Sequence, residues 1–228
     1  MASILSGAAV LFDLDGTLVD TAPDLAGTMN DIMAKLSLPP IPIEEVRHLV
    51  GRGARVLIEE ALKFHGRPVE GPAFDQMFRA FLDIYATRIA LQSRPFPAAQ
   101  MVLDLLMANR TLLGIVTNKP EGLTRLLLDG LGLAERFDVV VGFETAARPK
   151  PFADPILFAV ERLKVPLHRT LMVGDSATDV GAARAAGVKV IAMRHGYSDV
   201  PADELGADAV IDGFAELTAT AEALLAPS

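Results

Sequence analysis

The stretch AAVLFDLDGT spans residues 8–17 and joins a short apolar run to two aspartates and a glycine. Continuous apolar runs of this length are typical of strands buried on both faces, as in a parallel sheet. Asp13 and Asp15 follow the run directly. Residues i and i+2 of an extended chain point the same way, so their carboxylates converge at the end of the strand. Gly16 permits the sharp exit that a site there needs.

Two simpler interpretations of this stretch are a polar turn and half of a calcium-binding loop. The calcium loop is disfavoured because the positions that follow are Thr17, Val19 and Thr21, which continue no series of acidic ligands. Ligands of open α/β sheets bind at the carboxyl ends of the strands. The stretch therefore favours a ligand site at the end of a first strand.

Further apolar runs recur along the chain and predict more strands of the same sheet. They cover residues 112–116, 139–141, 170–173 and 188–192, with a weaker sixth run at 209–211. Helical patterns alternate with them, at residues 98–108, 122–131, 155–163, 179–186 and 214–225. This alternation predicts a doubly wound α/β domain with a parallel sheet.

Residues 21–94 differ from the rest, because they contain no strand-like run and helical spacing dominates. Thr21-x-x-Asp24, with Pro23 between them, predicts a helix start. Further apolar periodicities predict helices around residues 56–62 and 74–85. We therefore expect a discontinuous core of residues 1–20 and 95–228, interrupted by a helical domain of residues 21–94.

Composition excludes several classes of protein. The 228 residues carry 29 acidic and 21 Lys and Arg side chains, a formal net charge of −8, which argues against nucleic acid and anionic membrane as partners. The chain has no cysteine, which excludes thiol nucleophiles and disulfide frameworks. Residues 1–12 lack the basic start of a signal peptide, so we expect a cytoplasmic protein.

Polar side chains follow three of the other predicted strands. Thr117-Asn118-Lys119 ends the run at 112–116, Lys150-Pro151 follows the run at 139–141, and Gly174–Asp179 closes the run at 170–173. Small polar residues at strand ends are ordinary loop chemistry, and a single lysine is usually a solvated charge. Four such groups in this order, each after an apolar run, are hard to explain as coincidence.

With these four motifs the sequence resembles the haloacid dehalogenase-like phosphohydrolase superfamily, and specifically its phosphoglycolate phosphatase branch. The resemblance covers essentially the whole chain. It is carried by DLDGTLVDTAPDL at 13–25, VGRGA at 50–54, TNKP at 117–120 and Gly196-Tyr197. One departure is visible in the third motif, where Ala153 replaces a proline. The resemblance implies a Rossmann-like core and a helical cap domain, residues 21–94, that controls substrate access.

The resemblance also implies a chemistry for the first and last motifs. Asp13 would be the nucleophile that forms an aspartyl-phosphate, and Asp15 the general acid and base. Mg²⁺ would be held by the carboxylates of Asp13 and Asp175 and by the main-chain carbonyl of Asp15. Asp179 would orient a ligand or Lys150, although a role as helix N-cap remains an equal alternative.

Other residues would bind the substrate. Thr117 and Lys150, with Asn118 beside them, would hold the phosphoryl group, and Lys119 would edge the site. Arg52, between two glycines, would contact a substrate carboxylate, or else lie in solvent on a loop that joins two helices.

These implications make a Mg²⁺-dependent phosphatase of a small phosphorylated metabolite the leading hypothesis, with 2-phosphoglycolate as substrate and a monomer or small homo-oligomer as its state. A sugar phosphate is the nearest alternative substrate. A mutase is less favoured because Ala22-Pro23-Asp24-Leu25 offers no His or Arg. A metal-free dehalogenase does not need Asp15 or Asp175, and a catalytically silent binding module is the remote alternative.

Overall fold

The parallel sheet that the apolar runs predict is present in the computed structural model, which describes residues 3–50 and 53–226. In chain order its strands are β1 (Ala9–Phe12), β2 (Val19–Asp20), β3 (Arg94–Pro95), β4 (Leu112–Val116), β5 (Val139–Val141), β6 (Thr170–Gly174), β7 (Lys189–Met193) and β8 (Ala209–Ile211). Six of them form one sheet in the order β5-β4-β1-β6-β7-β8, and every neighbouring pair is parallel. The prediction of a doubly wound, Rossmann-like fold is confirmed, and the weak run at 209–211 forms edge strand β8.

The central position of β1 decides where a ligand can bind. All four residues of β1 are fully buried, because the strand lies between β4 and β6 and is covered on both faces. After β1 the chain builds the sheet outward through β4 and β5 on one side, and then through β6, β7 and β8 on the other. Such a switch in direction opens a crevice beyond the carboxyl ends of the strands. Asp13 and Asp15 stand at that end of β1.

Helices fill the intervals between the strands. In chain order they are α1 (Ala22–Lys35), α2 (Ile43–Val50), α3 (Ala54–Phe64), α4 (Gly71–Arg88), α5 (Ala99–Ala108), α6 (Glu121–Gly130), α7 (Asp154–Leu163), α8 (Ala177–Ala186) and α9 (Leu217–Leu225). Helices α5 to α9 match the predicted patterns to within three residues. Helix α2 was not predicted, because its eight residues bury only Val46 and Val50 and give too short an apolar pattern.

Helices α1 to α4 form one inserted segment, and the chain leaves and re-enters the core side by side. Strands β2 and β3 pair antiparallel, with Val19 opposite Pro95 and Asp20 opposite Arg94. Thr21 precedes α1, but its side chain makes no capping hydrogen bond. The buried carboxylate of Asp24 instead accepts hydrogen bonds from the main-chain amides of residues 92 and 93 and from the Ser93 hydroxyl at 2.7 Å. Asp24 therefore ties the start of the insertion to its end.

None of the helices within residues 3–50 and 53–226 has both the length and the apolar character needed to cross a membrane.

Candidate active site

The backbone at the end of β1 turns sharply to direct two carboxylates into one crevice. The Asp13 amide still donates to the Val173 carbonyl at 2.9 Å, so Asp13 continues the ladder with β6. Gly16 then adopts φ +85°, and a Cβ atom there would lie 2.7 Å from the Tyr197 ring and 2.8 Å from Asp175 Oδ2. Glycine is required at this turn for both reasons.

Lys150, which follows strand β5, forms an ion pair with Asp13. Lys150 Nζ lies 2.7 Å from Asp13 Oδ1 and 2.6 Å from Asp179 Oδ1. The Lys150 side chain is 2% exposed and that of Asp179 is fully buried. Burial alone would lower the pKa of Lys150, but the charges of Asp13 and Asp179 outweigh it and raise that pKa. The ammonium is therefore charged where it meets both carboxylates.

Burial has the opposite consequence for the carboxylates. Burial raises the pKa of Asp13 to about 6, although the Lys150 ammonium acts against this shift. Burial, followed by the charges of Asp179 and Asp13, raises the pKa of Asp175 to about 8. Asp13 and Asp175 are thus harder to ionise than in water, first because they are buried and then because other carboxylates lie close to them. A cation bound between Asp13 and Asp175 would favour the ionised form of both carboxylates.

Asp175 is fixed from two directions. Its Oδ1 accepts a hydrogen bond from Thr17 Oγ1 at 2.7 Å, and its Oδ2 accepts one from the Tyr197 amide at 2.7 Å. A Cβ atom at Gly196 would lie 2.0 Å from Asp175 Cβ, so glycine is required for this approach. Gly196-Tyr197 is part of the family resemblance, but the sequence predicts no role for this pair or for Thr17.

Asp179 combines the two alternatives that the sequence left open. Ser176 is the N-cap of α8, and Asp179 at the third helical position closes a capping box, its Oδ2 accepting from the Ser176 amide at 3.0 Å. Its other oxygen binds Lys150. One carboxylate therefore stabilises the helix start and orients the lysine.

The donor set of this cluster fits Mg²⁺. Carboxylate oxygens of Asp13, Asp175 and Asp179 lie within 4.8 Å of one another, and oxygen ligands of this kind suit a hard divalent cation. Asp179 Oδ1 pairs with the Lys150 ammonium and its Oδ2 accepts three hydrogen bonds. Each oxygen of Asp175 accepts only one hydrogen bond and keeps a lone pair, so Asp13 and Asp175 are the carboxylates best placed to hold an ion. No residue that the structure describes donates a hydrogen bond to the main-chain carbonyl of Asp15, so that oxygen is also available.

Asp15 faces a second lysine. Lys119 Nζ donates to both Asp15 carboxylate oxygens, at 3.0 and 3.1 Å, and to the Tyr85 hydroxyl at 2.8 Å. The Lys119 side chain is 4% exposed, so Lys119 lies inside the site rather than at its edge. Tyr85 belongs to α4 of the inserted segment, and its 34-residue separation from Lys119 explains why the sequence did not reveal it.

Thr117 and Asn118 follow β4 and have different surroundings. Thr117 is buried, and its Oγ1 accepts a hydrogen bond from the Lys119 amide at 3.2 Å. The Asn118 side chain binds the Lys150 backbone at both ends: Oδ1 accepts from the Lys150 amide at 3.0 Å and Nδ2 donates to the Lys150 carbonyl at 3.1 Å. The Asn118 amide therefore positions the loop that carries Lys150.

These side chains surround a cavity of about 50 Å³. Asp13, Asp15, Lys150 and residues 117–119 form its core side. Helices α1, α3 and α4 of the inserted segment provide most of the remaining wall, to which α2 adds Val50. Arg52 and Gly51 lie outside the described residues, but Val50 and Gly53 on either side of them both line the cavity.

Comparison with known proteins identifies the family. The sequence profile of the family described as "Haloacid dehalogenase-like hydrolase" matches residues 10–193. The chain belongs to this family.

Among its relatives, the phosphoglycolate phosphatase of Caulobacter vibrioides is 42% identical over 93% of this chain and 90% of the relative. The N-acetylmuramic acid 6-phosphate phosphatase of Pseudomonas aeruginosa is 37% identical over 92% of each chain. The crystal structure of a "predicted phosphoglycolate phosphatase" from Haemophilus somnus superimposes with a TM-score of 0.87 at 29% identity, covering 93% of this chain and 97% of that one.

Family and relatives agree with the enzyme class expected from the motifs. The chain is a hydrolase of phosphoric monoesters, and its substrate is a small phosphorylated compound. Both predictions are confirmed at this level of detail.

Proposed function

We propose that this member of the haloacid dehalogenase-like family is a Mg²⁺-dependent phosphatase that acts through a phosphorylated Asp13. The observation that carries the proposal is the position of Asp13, which touches Lys150, lies in a cluster with Asp175 and lines the cavity. A carboxylate that is buried, oriented and next to a cation has the properties of a nucleophile for phosphorus.

In the first step, an Asp13 oxygen attacks phosphorus, and the bond from phosphorus to the ester oxygen breaks. Asp15 gives a proton to the departing alkoxide. In the second step, Asp15 takes a proton from water as the water attacks phosphorus, which releases phosphate and restores the Asp13 carboxylate. Lys150 and Thr117 hold the phosphoryl oxygens throughout, and Asn118 fixes the Lys150 backbone.

Asp13, Asp175 and the main-chain carbonyl of Asp15 would hold the Mg²⁺ ion. The bound ion supplies the positive charge that offsets the repulsion between the Asp13 carboxylate and the phosphate. Asp179 supports the site from behind, because it orients Lys150 and caps α8.

The substrate that we favour is 2-phosphoglycolate. The names of relatives that are 42% and 41% identical to this chain support it. We propose that Arg52 and Lys119 contact this substrate. A sugar phosphate is the second candidate, because the 37% identical relative is named for one.

We also propose that residues 21–94 act as a cap over a core of residues 1–20 and 95–228. Support comes from the cavity, whose wall opposite Asp13 is formed by side chains of α1, α3 and α4 such as Leu25, Leu57 and Phe81. Movement of these helices would open and close the route to Asp13.

Phosphate release from a panel of esters tests the proposed function. The panel contains 2-phosphoglycolate, glucose 6-phosphate and N-acetylmuramic acid 6-phosphate, each with Mg²⁺ and with a chelator. We expect turnover only with the metal, highest kcat/KM for 2-phosphoglycolate, and no turnover by Asp13→Asn. Undiminished activity of Asp13→Asn would refute the nucleophile, and full activity in chelator would refute the metal.

A further inference from the structure

The hydroxyl of Tyr85 is a buried polar group that the proposed mechanism does not use. Tyr85 is 1% exposed, and its ring stacks on Phe81 of the same helix with centroids 6.1 Å apart. The phenol oxygen accepts a hydrogen bond from Lys119 Nζ, so its own proton is free to be donated. Within residues 3–50 and 53–226, no acceptor lies within hydrogen-bond distance of that proton. Buried donors of this kind normally have a partner.

The missing acceptor belongs on the cavity side, because Tyr85 lines the cavity. The other described residues that α1, α3 and α4 contribute to the wall have apolar side chains, for example Leu25, Leu57 and Leu82. Among the described side chains that these helices contribute to the cavity, the Tyr85 hydroxyl is therefore the one hydrogen-bond donor that a polar substituent pointing away from Asp13 can meet. The nearest cation to that hydroxyl is Lys119, at 2.8 Å.

Lys119 is fully engaged in this structure. An ammonium has three donors, and those of Lys119 reach the two Asp15 oxygens and the Tyr85 hydroxyl. Asp15 consequently has both oxygens turned to Lys119. A general acid must instead present an oxygen to the leaving group within about 3 Å. Lys119 thus occupies one acceptor site on each oxygen of Asp15, and release of either hydrogen bond would let the carboxyl group turn towards the leaving group.

We propose that Tyr85 and Lys119 together form the subsite for a carboxylate on the leaving group, and that occupation of this subsite releases Asp15 for proton transfer. This proposal rests on the proposed function. A substrate carboxylate accepts a hydrogen bond from the Tyr85 hydroxyl and competes with Asp15 for Lys119. Charge-assisted hydrogen bonds are about twice as strong as neutral ones, so a neutral substituent competes poorly. Tyr85 is then a specificity-determining residue on the inserted segment.

Two esters of equal length test the proposal. 2-Phosphoglycolate carries the carboxylate, whereas 2-hydroxyethyl phosphate carries a neutral hydroxymethyl group in its place. Tyr85→Phe removes only the hydroxyl. We expect Tyr85→Phe to reduce the wild-type preference in kcat/KM for 2-phosphoglycolate by about tenfold, the usual effect of losing a hydrogen bond to a charged group. The preference is the ratio of the two kcat/KM values, so any effect of the variant that is common to both esters cancels.

Inhibition by products supplies a binding readout. Glycolate carries the carboxylate without the phosphoryl group, and inorganic phosphate is the reverse. We expect Tyr85→Phe to raise the inhibition constant of glycolate about tenfold and to leave that of phosphate unchanged. The matched control is Thr87→Ala, on the exposed side of the same helix, which changes neither constant. If Tyr85→Phe does not fold, Lys119→Gln is measured instead and must lose the same preference.

The outcomes separate this proposal from the proposed function. Failure of the wild type to release phosphate from any ester refutes the phosphatase assignment itself. Wild-type turnover with an unchanged preference in Tyr85→Phe refutes the subsite and leaves the phosphatase intact. Loss of the preference in Arg52→Ala but not in Tyr85→Phe assigns the carboxylate to Arg52 and also overturns the proposal.

Discussion

Lys150 contacts two of the three carboxylates in the acidic cluster, at 2.7 Å from Asp13 and 2.6 Å from Asp179. The third, Asp175, accepts hydrogen bonds from Thr17 and from a main-chain amide. The cluster of three buried carboxyl groups therefore has one ammonium, which contacts two of them, and ionising all three without a further cation costs stability. At this scale, the requirement for a metal and the cost in stability have the same cause.

Asp175→Asn tests whether the acidic cluster that would bind the metal also lowers the stability of the metal-free protein. Burial and the neighbouring carboxylates raise the pKa of Asp175 to about 8, so a neutral side chain is favoured there in the absence of metal. The oxygen of an asparagine can accept from the Tyr197 amide while its Nδ2 donates to the Thr17 hydroxyl, in place of the two contacts of Asp175. We expect Asp175→Asn to unfold in chelator at the temperature of the wild type or above it. Mg²⁺ should raise the midpoint of the wild type alone, since only its site binds the ion.

Calorimetric unfolding with chelator and with Mg²⁺ provides the measurement, and Asp199→Asn is a control on an exposed aspartate outside the cluster. An equal rise in midpoint for wild type and Asp175→Asn would show that Mg²⁺ binds elsewhere.

How much of the candidate site the sequence predicts depends on whether a residue stands next to a recognisable strand or helix pattern in the chain. Asp13, Asp15, Asp175 and Asp179 are candidates from the sequence because each lies in a motif that follows an apolar run, and strand ends of a parallel sheet meet at one edge. The pairing of Lys119 with Tyr85 had no such signal. Helix α4 lies far from β4 in the chain, and an apolar-facing tyrosine at helical spacing looks like core.

At the scale of elements, Asp208 joins two layers of the core. Its carboxylate accepts hydrogen bonds from the Val190 amide at 2.9 Å, from Arg184 of α8 at 2.8 Å and from Lys189 at 3.0 Å. Burial would raise the pKa of Asp208, but these hydrogen bonds outweigh it and lower that pKa. The group therefore contributes stability in its ionised form.

Asp208→Asn should destabilise the protein by about 1 kcal/mol at neutral pH, the usual value for a hydrogen-bonded group near the surface. A carboxyl with a lowered pKa stabilises the fold above its unfolded-state pKa of about 3.9 and loses this contribution as the pH falls further. The difference between wild type and variant in urea unfolding should thus be constant from pH 7 to about 5 and shrink below about pH 4. A difference that grows in acid would contradict the assignment.

Helices and strands were predictable where an apolar run or a helical periodicity marks them in the sequence. All six strands of the parallel sheet and helices α5 to α9 follow from apolar runs and helical spacing. Helix α2 is short, and strands β2 and β3 have two residues each, so neither pattern extends far enough to be recognised. Strands β2 and β3 exist because the two ends of the insertion meet, which is a property of the tertiary fold.

At the scale of the whole molecule, Tyr197 connects the candidate metal site to the junction with the inserted helices. Its amide binds Asp175, while its hydroxyl donates to Asp20 and accepts from the Ala22 amide at 3.2 Å. Asp20 in turn accepts from Arg47 of α2 at 3.2 Å. The position of the helices and the position of a candidate metal ligand are therefore linked through one residue of the core.

Tyr197→Phe separates the two halves of this link, because the variant keeps the amide on Asp175 and loses the hydroxyl on the junction. We expect hydrogen exchange at residues 20–22 and 92–95 to accelerate by about tenfold, as one buried hydrogen bond to a charged group is lost. Mg²⁺ affinity from calorimetric titration should stay within about twofold, because the amide that holds Asp175 remains. Ser198→Ala, next in the chain, serves as the control. Weakened Mg²⁺ binding with unchanged exchange at the junction would mean that Tyr197 acts on the metal site alone, and the helices would then move independently of it.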